Sequence, residues 1–247
     1  MSQKPVWLKG FPLELTPTGI RGLDEVIGGF IRGRTYLVSG ETGTGKTIFS
    51  LSFLVNGVNR GETGVYVLVD ENLEDFLAGA KSFGWHLDKA IEQERISVMT
   101  ILPEFIERFK DKTIEATAKS IVRDIKNEVK RLDAKRLVID PVVPLISEEN
   151  TIKIREYIRL LIQLLEREIG TTTIITSEIP TGSMALSRFG VEEFLASGII
   201  VLGLKKTLRG YTRTLFIRKM RWIPVYPAVY RFEMVPGQGI VVKERME

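Results

Sequence analysis

The segment Gly40-Glu41-Thr42-Gly43-Thr44-Gly45-Lys46-Thr47 constrains this chain more than any other. It follows a short apolar run, Arg34 to Ser39. It precedes Lys46 to about Arg60, where Ile48, Leu51, Phe53, Leu54 and Val58 recur at helical spacing before Gly61. A strand, a glycine-rich turn and a helix in that order fit G-x-x-x-x-G-K-[ST], a loop that wraps phosphate. A chance match in a chain of this length arises about once in a hundred. Glycines let backbone N–H groups turn inward with no Cβ in the way. The helix start adds unpaired N–H groups and the positive end of its dipole. Lys46 brings a point charge to the β- and γ-phosphates, and Thr47 a hydroxyl to Mg²⁺. Gly40, Glu41, Thr42, Gly43, Thr44, Gly45, Lys46, Thr47 and Ile48 are therefore the expected nucleotide-binding residues.

The rest of the chain alternates in period. Val65 to Val69 reads as a buried strand, Leu73 to Phe83 as a helix and Ile96 to Met99 as a short strand. Thr113 to Leu132 is an amphipathic helix, Arg136 to Ile139 a strand, Ile152 to Ile169 a helix closed by Gly170, and Thr172 to Thr176 a strand. Such alternation implies βαβ units, an α/β fold with a mainly parallel sheet. After Gly190 the pattern changes to successive strands, Ile199 to Leu204, Thr212 to Met220, Val225 to Phe232 and Ile240 to Val242, which predict an antiparallel C-terminal extension. No repeat or low-complexity segment divides the chain, so 1–247 is read as one domain.

Two carboxylate positions stand at predicted strand ends. Asp140 ends Leu137-Val138-Ile139 and is expected to order the water shell of Mg²⁺. Asp70-Glu71 ends the strand Val65 to Val69, at the sheet edge where ligands of open α/β sheets sit. One of the pair could hold the attacking water and take its proton; Asp70 or Asn72 could instead cap the following helix. Ser177-Glu178 could sense the γ-phosphate or satisfy backbone at the same edge. His86 reads as a helix-end side chain, and Met184 and Met220 as packing residues.

Composition removes other chemistries. The chain has no cysteine and one histidine, so neither a disulfide framework nor a multi-histidine metal site is available. No apolar run approaches the length of a membrane span or a signal peptide, and a cytoplasmic protein is expected. The net charge of +4, from 35 basic and 31 acidic residues, is mild. It is uneven, however: no acidic residue stands between Glu193 and Glu233, where Lys205, Lys206, Arg209, Arg213, Arg218, Lys219, Arg221 and Arg231 lie. That interval suggests a surface for phosphate.

The chain resembles the KaiC-like branch of the RecA superfamily along nearly its whole length. The resemblance is carried by Thr18 to Gly29 (TGIRGLDEVIGG), the phosphate loop running into Ile48-Phe49-Ser50, Ala80 to Trp85, Arg188 to Phe194 and Lys219-Met220-Arg221. It implies a RecA-like P-loop NTPase core, ATP as the nucleotide with Mg²⁺, and a homohexameric ring. The family's paired acidic residues match Asp70 and Glu71, with Asp70 in place of the usual glutamate, and Glu71 is the expected base. Lys219 and Arg221 would reach the neighbour's nucleotide as an arginine finger does. The family's Gly-[ST]-x-His is here Trp222-Ile223-Pro224-Val225, so no trans histidine is expected. The stretch matching the family's phosphorylated Ser-Thr pair is Gly190-Val191-Glu192-Glu193, without hydroxyls, so no autophosphorylation is expected there.

Two further readings compete with a regulatory ATPase ring acting on an unnamed protein partner. One is a RecA- or RadA-like recombination ATPase, for which Tyr211, Trp222, Tyr226 and Tyr230 among the basic residues would supply stacking platforms for single-stranded DNA. The mild charge and the lack of a separate DNA-binding domain make nucleic acid the less favoured partner. The other is a slow nucleotide-switched scaffold, motivated by Asp70.

Overall fold

The structure is a computed structural model. It describes residues 8, 10, 12–101, 113–142, 151–183, 185–188, 190, 195–208 and 210–246. A short ribbon pairs β1 (Leu15–Thr16) with β2 (Phe30–Ile31), with α1 (Asp24–Ile27) between them. The main sheet has nine strands among the described residues. In chain order they are β3 (Thr35–Gly40), β4 (Gly64–Val69), β5 (Ile96–Ile101), β6 (Arg136–Asp140), β7 (Thr172–Glu178), β8 (Gly198–Thr207), β9 (Gly210–Met220), β10 (Ala228–Val235) and β11 (Gly239–Arg245). Their spatial order is β11-β10-β9-β8-β3-β7-β6-β4-β5. The six from β8 to β5 are parallel, and β9, β10 and β11 continue the sheet antiparallel. This is the expected α/β core with its C-terminal extension.

Helices cover both faces. One core forms around α2 (Lys46–Asn59), α3 (Leu73–Ser82) and α4 (Leu87–Glu92), against Tyr36, Val38, Tyr66, Leu68 and Val138. The other forms around α5 (Ile114–Leu132) and α6 (Thr151–Leu164), against Leu37, Val65, Val67, Leu137 and Ile139. Successive residues of one strand thus enter opposite cores, and central strands read as unbroken apolar runs because both faces are dry. The α5 helix begins where the Thr113 hydroxyl accepts the Ala116 N–H at 3.2 Å. Asn72 caps α3, accepting from the N–H groups of Glu74 and Asp75, so of the two candidate caps it is Asn72 that serves.

The single helix expected over 152–169 is α6 followed by a wider π-type turn, Leu165–Ile169, which ends at Gly170 with φ 73°. Glu166 in that turn accepts the Thr35 N–H and pairs with Arg34, tying the turn to the start of β3. Three of the C-terminal strands, β8, β9 and β11, run longer than expected, because ladder pairing continues into exposed polar residues such as Lys205 and Lys206, whereas the strand expected over 225–232 is shifted to Ala228–Val235. The ribbon, α1 and α4 are too short to show a period and had no sequence signal.

Arg136, the first residue of β6, is fully buried. Its Nε donates to Glu62 at 2.5 Å, and its Nη1 to the carbonyl oxygens of Pro17 and Phe53 at 3.0 and 2.7 Å. The guanidinium also lies 4.5 Å over the Phe53 ring. Burial pulls its pKa down, and Glu62 resists that. Gly57 of α2 passes so close that a Cβ there would come within 2.5 Å of the Arg136 Nε. A buried charge that loses its partner is strongly destabilising. Glu62→Ala should therefore lower unfolding free energy by about 2–3 kcal/mol, at or below the low end of the roughly 3–5 kcal/mol for a broken buried pair, because Glu62 is partly exposed and two carbonyl bonds remain. Chemical denaturation checks this, and a loss under about 0.5 kcal/mol, the range of ordinary surface changes, would show the pair to be dispensable.

Candidate functional site: a phosphate-loop cleft

The phosphate loop leaves β3 between two parallel neighbours, with Gly40 in register with Glu178 of β7 and Leu202 of β8. That crowding requires glycine: a Cβ on Gly40 would stand 2.4 Å from the Leu202 oxygen and 2.6 Å from the Thr44 hydroxyl. Gly43 (φ 77°) and Gly45 (φ 107°) adopt left-handed backbone that side chains resist. The buried Thr44 hydroxyl closes the turn by donating to the Glu41 oxygen at 2.7 Å. α2 then starts at Lys46, with Gly45 at its N-cap, no side-chain cap and no acidic residue in its first turn. Its first N–H groups are left for an anion.

Lys46 Nζ donates to the carbonyl oxygens of Gly40 and Glu41 at 2.9 and 3.0 Å. Partial burial lowers its pKa, and the charges of Glu178 and Asp140 oppose that. Asp140, at the end of β6, is 7% exposed and accepts three hydroxyl donors. These are Thr47 at 2.9 Å, Tyr66 of β4 at 2.5 Å and Thr176 of β7. The order β7-β6-β4 puts those two donors on either side of it. Burial, and then the Asp140 charge, drives the Tyr66 phenol well above its usual range.

These side chains surround a cleft of about 470 Å³ at the carboxyl ends of the parallel strands. Thr42, Lys46, Thr47, Glu71, Asp140 and Glu178 line its polar side, while Ile48 and Met234 of β10 give it an apolar wall. A Cβ on Gly45 would stand 2.9 Å from the Met234 methyl. Glu71 faces this cleft. Partial burial raises its pKa, with smaller contributions from Asp140 and Asp75. Asp70 is exposed, holds a left-handed backbone (φ 57°) and is not among the lining residues.

Lys219 and Arg221 are not brought to this cleft. Met220 pairs with Gly198, which pairs with Tyr36, whereas Gly40 is level with Leu202. Four residues of strand, about 13 Å, separate the two levels, and β9 ends at the opposite edge of the sheet. The aromatics among the basic residues divide in the same way. Tyr211 lies near the tip of the β8–β9 hairpin, Trp222 and Tyr226 at the far edge, and Tyr230 packs against the core. They form no continuous stacking platform. Ser177 is buried and accepts the Arg188 N–H at 3.2 Å, whereas Glu178 faces the cleft. Met220 is packed beside Gly198, and His86 stands exposed ahead of α4. Met184, Arg209, Phe189 and residues 191–194, with most of the stretch compared to the phosphorylated pair, lie outside the described residues.

Sequence reasoning missed Tyr66, Thr176 and Met234. The first two had only a weak signal, a hydroxyl inside an otherwise apolar strand, and Met234 had none.

Comparison with known proteins shows the family. A family model described as "ATPase: KaiC" matches residues 16–247. The circadian clock oscillator protein KaiC of Parasynechococcus marenigrum (strain WH8102) is 35% identical over 211 residues, covering 83% of this chain and 40% of that protein. The circadian clock protein KaiC2 of Synechocystis sp. is 35% identical over 208 residues, covering 83% of this chain and 36% of that protein. The chain thus spans about two fifths of the length of these curated relatives. The crystal structure of a KaiC-like protein from the hyperthermophilic archaeon Pyrococcus horikoshii OT3 matches with a TM-score of 0.81 and 38% identity, covering 94% of this chain and 100% of that one. The chain belongs to the KaiC family of RecA-like, nucleotide-binding ATPases.

Proposed function

We propose that this chain is one KaiC-like domain that hydrolyses ATP with Mg²⁺ and works as a homo-oligomeric ring with a regulatory role. The observation that carries the reading is the convergence of Lys46, Thr47, Asp140 and Glu71 on one cleft beside an uncapped helix start. The donor set fits the metal. The Thr47 hydroxyl and the Asp140 carboxylate are adjacent hard oxygens, and Mg²⁺ prefers few protein ligands and keeps its waters. Among the described residues no group of three or more His, Cys, Asp or Glu is placed to hold a metal ion. When bound, Mg²⁺ would neutralise charge on the β- and γ-phosphate oxygens. Among the described residues no helix is long and apolar enough to cross a membrane.

In the proposed reaction the loop N–H groups and Lys46 hold the phosphates. Glu71 orients a water and accepts its proton as the water oxygen bonds to the γ-phosphorus. The bond from that phosphorus to the bridging oxygen breaks, and its electron pair leaves with ADP. Lys219 and Arg221 lie too far along the sheet to serve their own cleft, which supports their acting on the cleft of an adjacent copy. The split aromatic surface offers no support to the DNA-binding reading.

Glu71→Gln should retain MgATP but lose turnover by about 100-fold or more. The base works only as carboxylate. Its raised pKa means that the working form is lost at a higher pH than for an ordinary glutamate. Turnover should therefore fall with acidification through a midpoint above 4.5. A pH–rate profile with its acid limb at or below that value, or an active glutamine variant, removes Glu71 from the role.

A mixing experiment tests the ring. Glu71→Gln and Arg221→Ala chains should each be inactive alone. Co-assembled in equal amounts, they should recover about a quarter of wild-type turnover, the random share of contacts joining an intact Glu71 to an intact Arg221. No recovery in a mixture shown by sizing to be co-assembled would put Arg221 outside the trans site.

A further inference from the structure

The first variable positions of the phosphate loop are bonded to the end of β7 and the residues that follow it. Glu178 closes β7 in register with Gly40 and accepts the Thr42 hydroxyl through its carboxylate. Glu41 accepts the Gly182 N–H at 2.9 Å through its own carboxylate. Between them the Ile179 N–H donates to the Gly40 oxygen at 3.0 Å. Three bonds therefore join loop residues 40–42 to residues 178–182, and two run through carboxylates. Glu178 also lines the cleft beside Lys46 and Asp140, and its charge acts on Lys46.

A carboxylate on the wall of a cleft that takes a polyanion opposes that anion by like-charge repulsion. Its own acceptor contact, on Thr42, belongs to the loop that must wrap the phosphates. We propose that Glu178 is a positioning residue that competes with nucleotide phosphate for the phosphate loop, and that loading the loop is transmitted through Thr42 and Glu41 to the segment after β7. Nucleotide occupancy is then felt along the chain that leads from β7 towards β8, away from the reacting atoms. The inference rests on the ATP reading above and adds a residue to it.

The test uses Glu178→Gln, which keeps an oxygen acceptor for Thr42 and removes the charge. MgATP affinity is measured by calorimetry on the full chain at low and high salt. The variant should bind about three- to tenfold more tightly at low salt, and the gain should shrink near 1 M salt, where screening acts over about 3 Å. A residue that merely props the loop would give equal or weaker binding and a lower Tm, and that result overturns the inference. Amide hydrogen exchange reads the transmission. Saturating MgATP should change exchange at residues 179–183 in the wild type, and the change should be lost in Thr42→Val, which removes the donor. An unchanged wild-type pattern overturns the transmission. Wild-type chain that takes up no MgATP overturns the ATP reading and this inference together. Wild-type binding with an unaltered Glu178→Gln affinity overturns this inference alone.

Discussion

The Asp140 carboxylate is the interaction on which the site depends. It stands nearly buried at the end of a central strand and accepts hydroxyl donors from three elements: Thr47 of α2, Tyr66 of β4 and Thr176 of β7. Burying a carboxylate costs several kcal/mol even after the surroundings relax. Hydrogen bonds to a charged group contribute about 1.5–3 kcal/mol each, so three are of the size needed to offset that cost. Because the donors come from different elements, the same bonds also set where α2 starts relative to the sheet. The phosphate loop spans that gap. Its glycines are required by the closeness of β8 and by left-handed backbone, so loop, helix start and carboxylate form one unit.

Much of this unit was legible in the sequence because it depends on residue types at fixed spacing. Glycine and lysine positions in the loop answer to backbone geometry and phosphate charge, both local properties. The parallel strands showed as apolar runs because both of their faces are covered. Glu71 and Asp70 were adjacent carboxylates in the sequence, and only the turn after β4 separates them. Both are exposed, but Asp70, in left-handed backbone, does not line the cleft, whereas Glu71 does.

What stayed hidden depends on pairing between distant segments. Tyr66 and Thr176 look like ordinary strand residues until the order β7-β6-β4 places them on either side of Asp140. Arg136 reads as the polar start of a strand, yet Glu62, Pro17 and Phe53, brought from three other segments, hold it as the largest fully buried side chain among the described residues. Met234 reaches the phosphate loop only because the antiparallel extension folds back along α2. Strand register has no local signature, and so the distance of Lys219 from its own cleft could not be read before β8 and β9 were paired.

That distance bears on assembly. The cleft gathers Glu71, Asp140 and Glu178 at the carboxyl edge of the parallel strands, while β9 delivers Lys219 and Arg221 to the opposite edge. In the ring proposed above, two such patches on different faces of one chain would meet head to tail. Such contacts close into a ring when the rotation permits, whereas a two-fold dimer would pair each patch with itself. Trp222, directly after Arg221, fits the same reasoning. It is 77% exposed and holds a left-handed backbone (φ 65°), a conformation that costs a bulky residue on the order of 1–3 kcal/mol. Glycine would adopt that backbone without strain. An indole held in that backbone beside Arg221 fits the proposed trans role, in which the shape of the turn would be set by what Lys219 and Arg221 reach more than by packing within the chain.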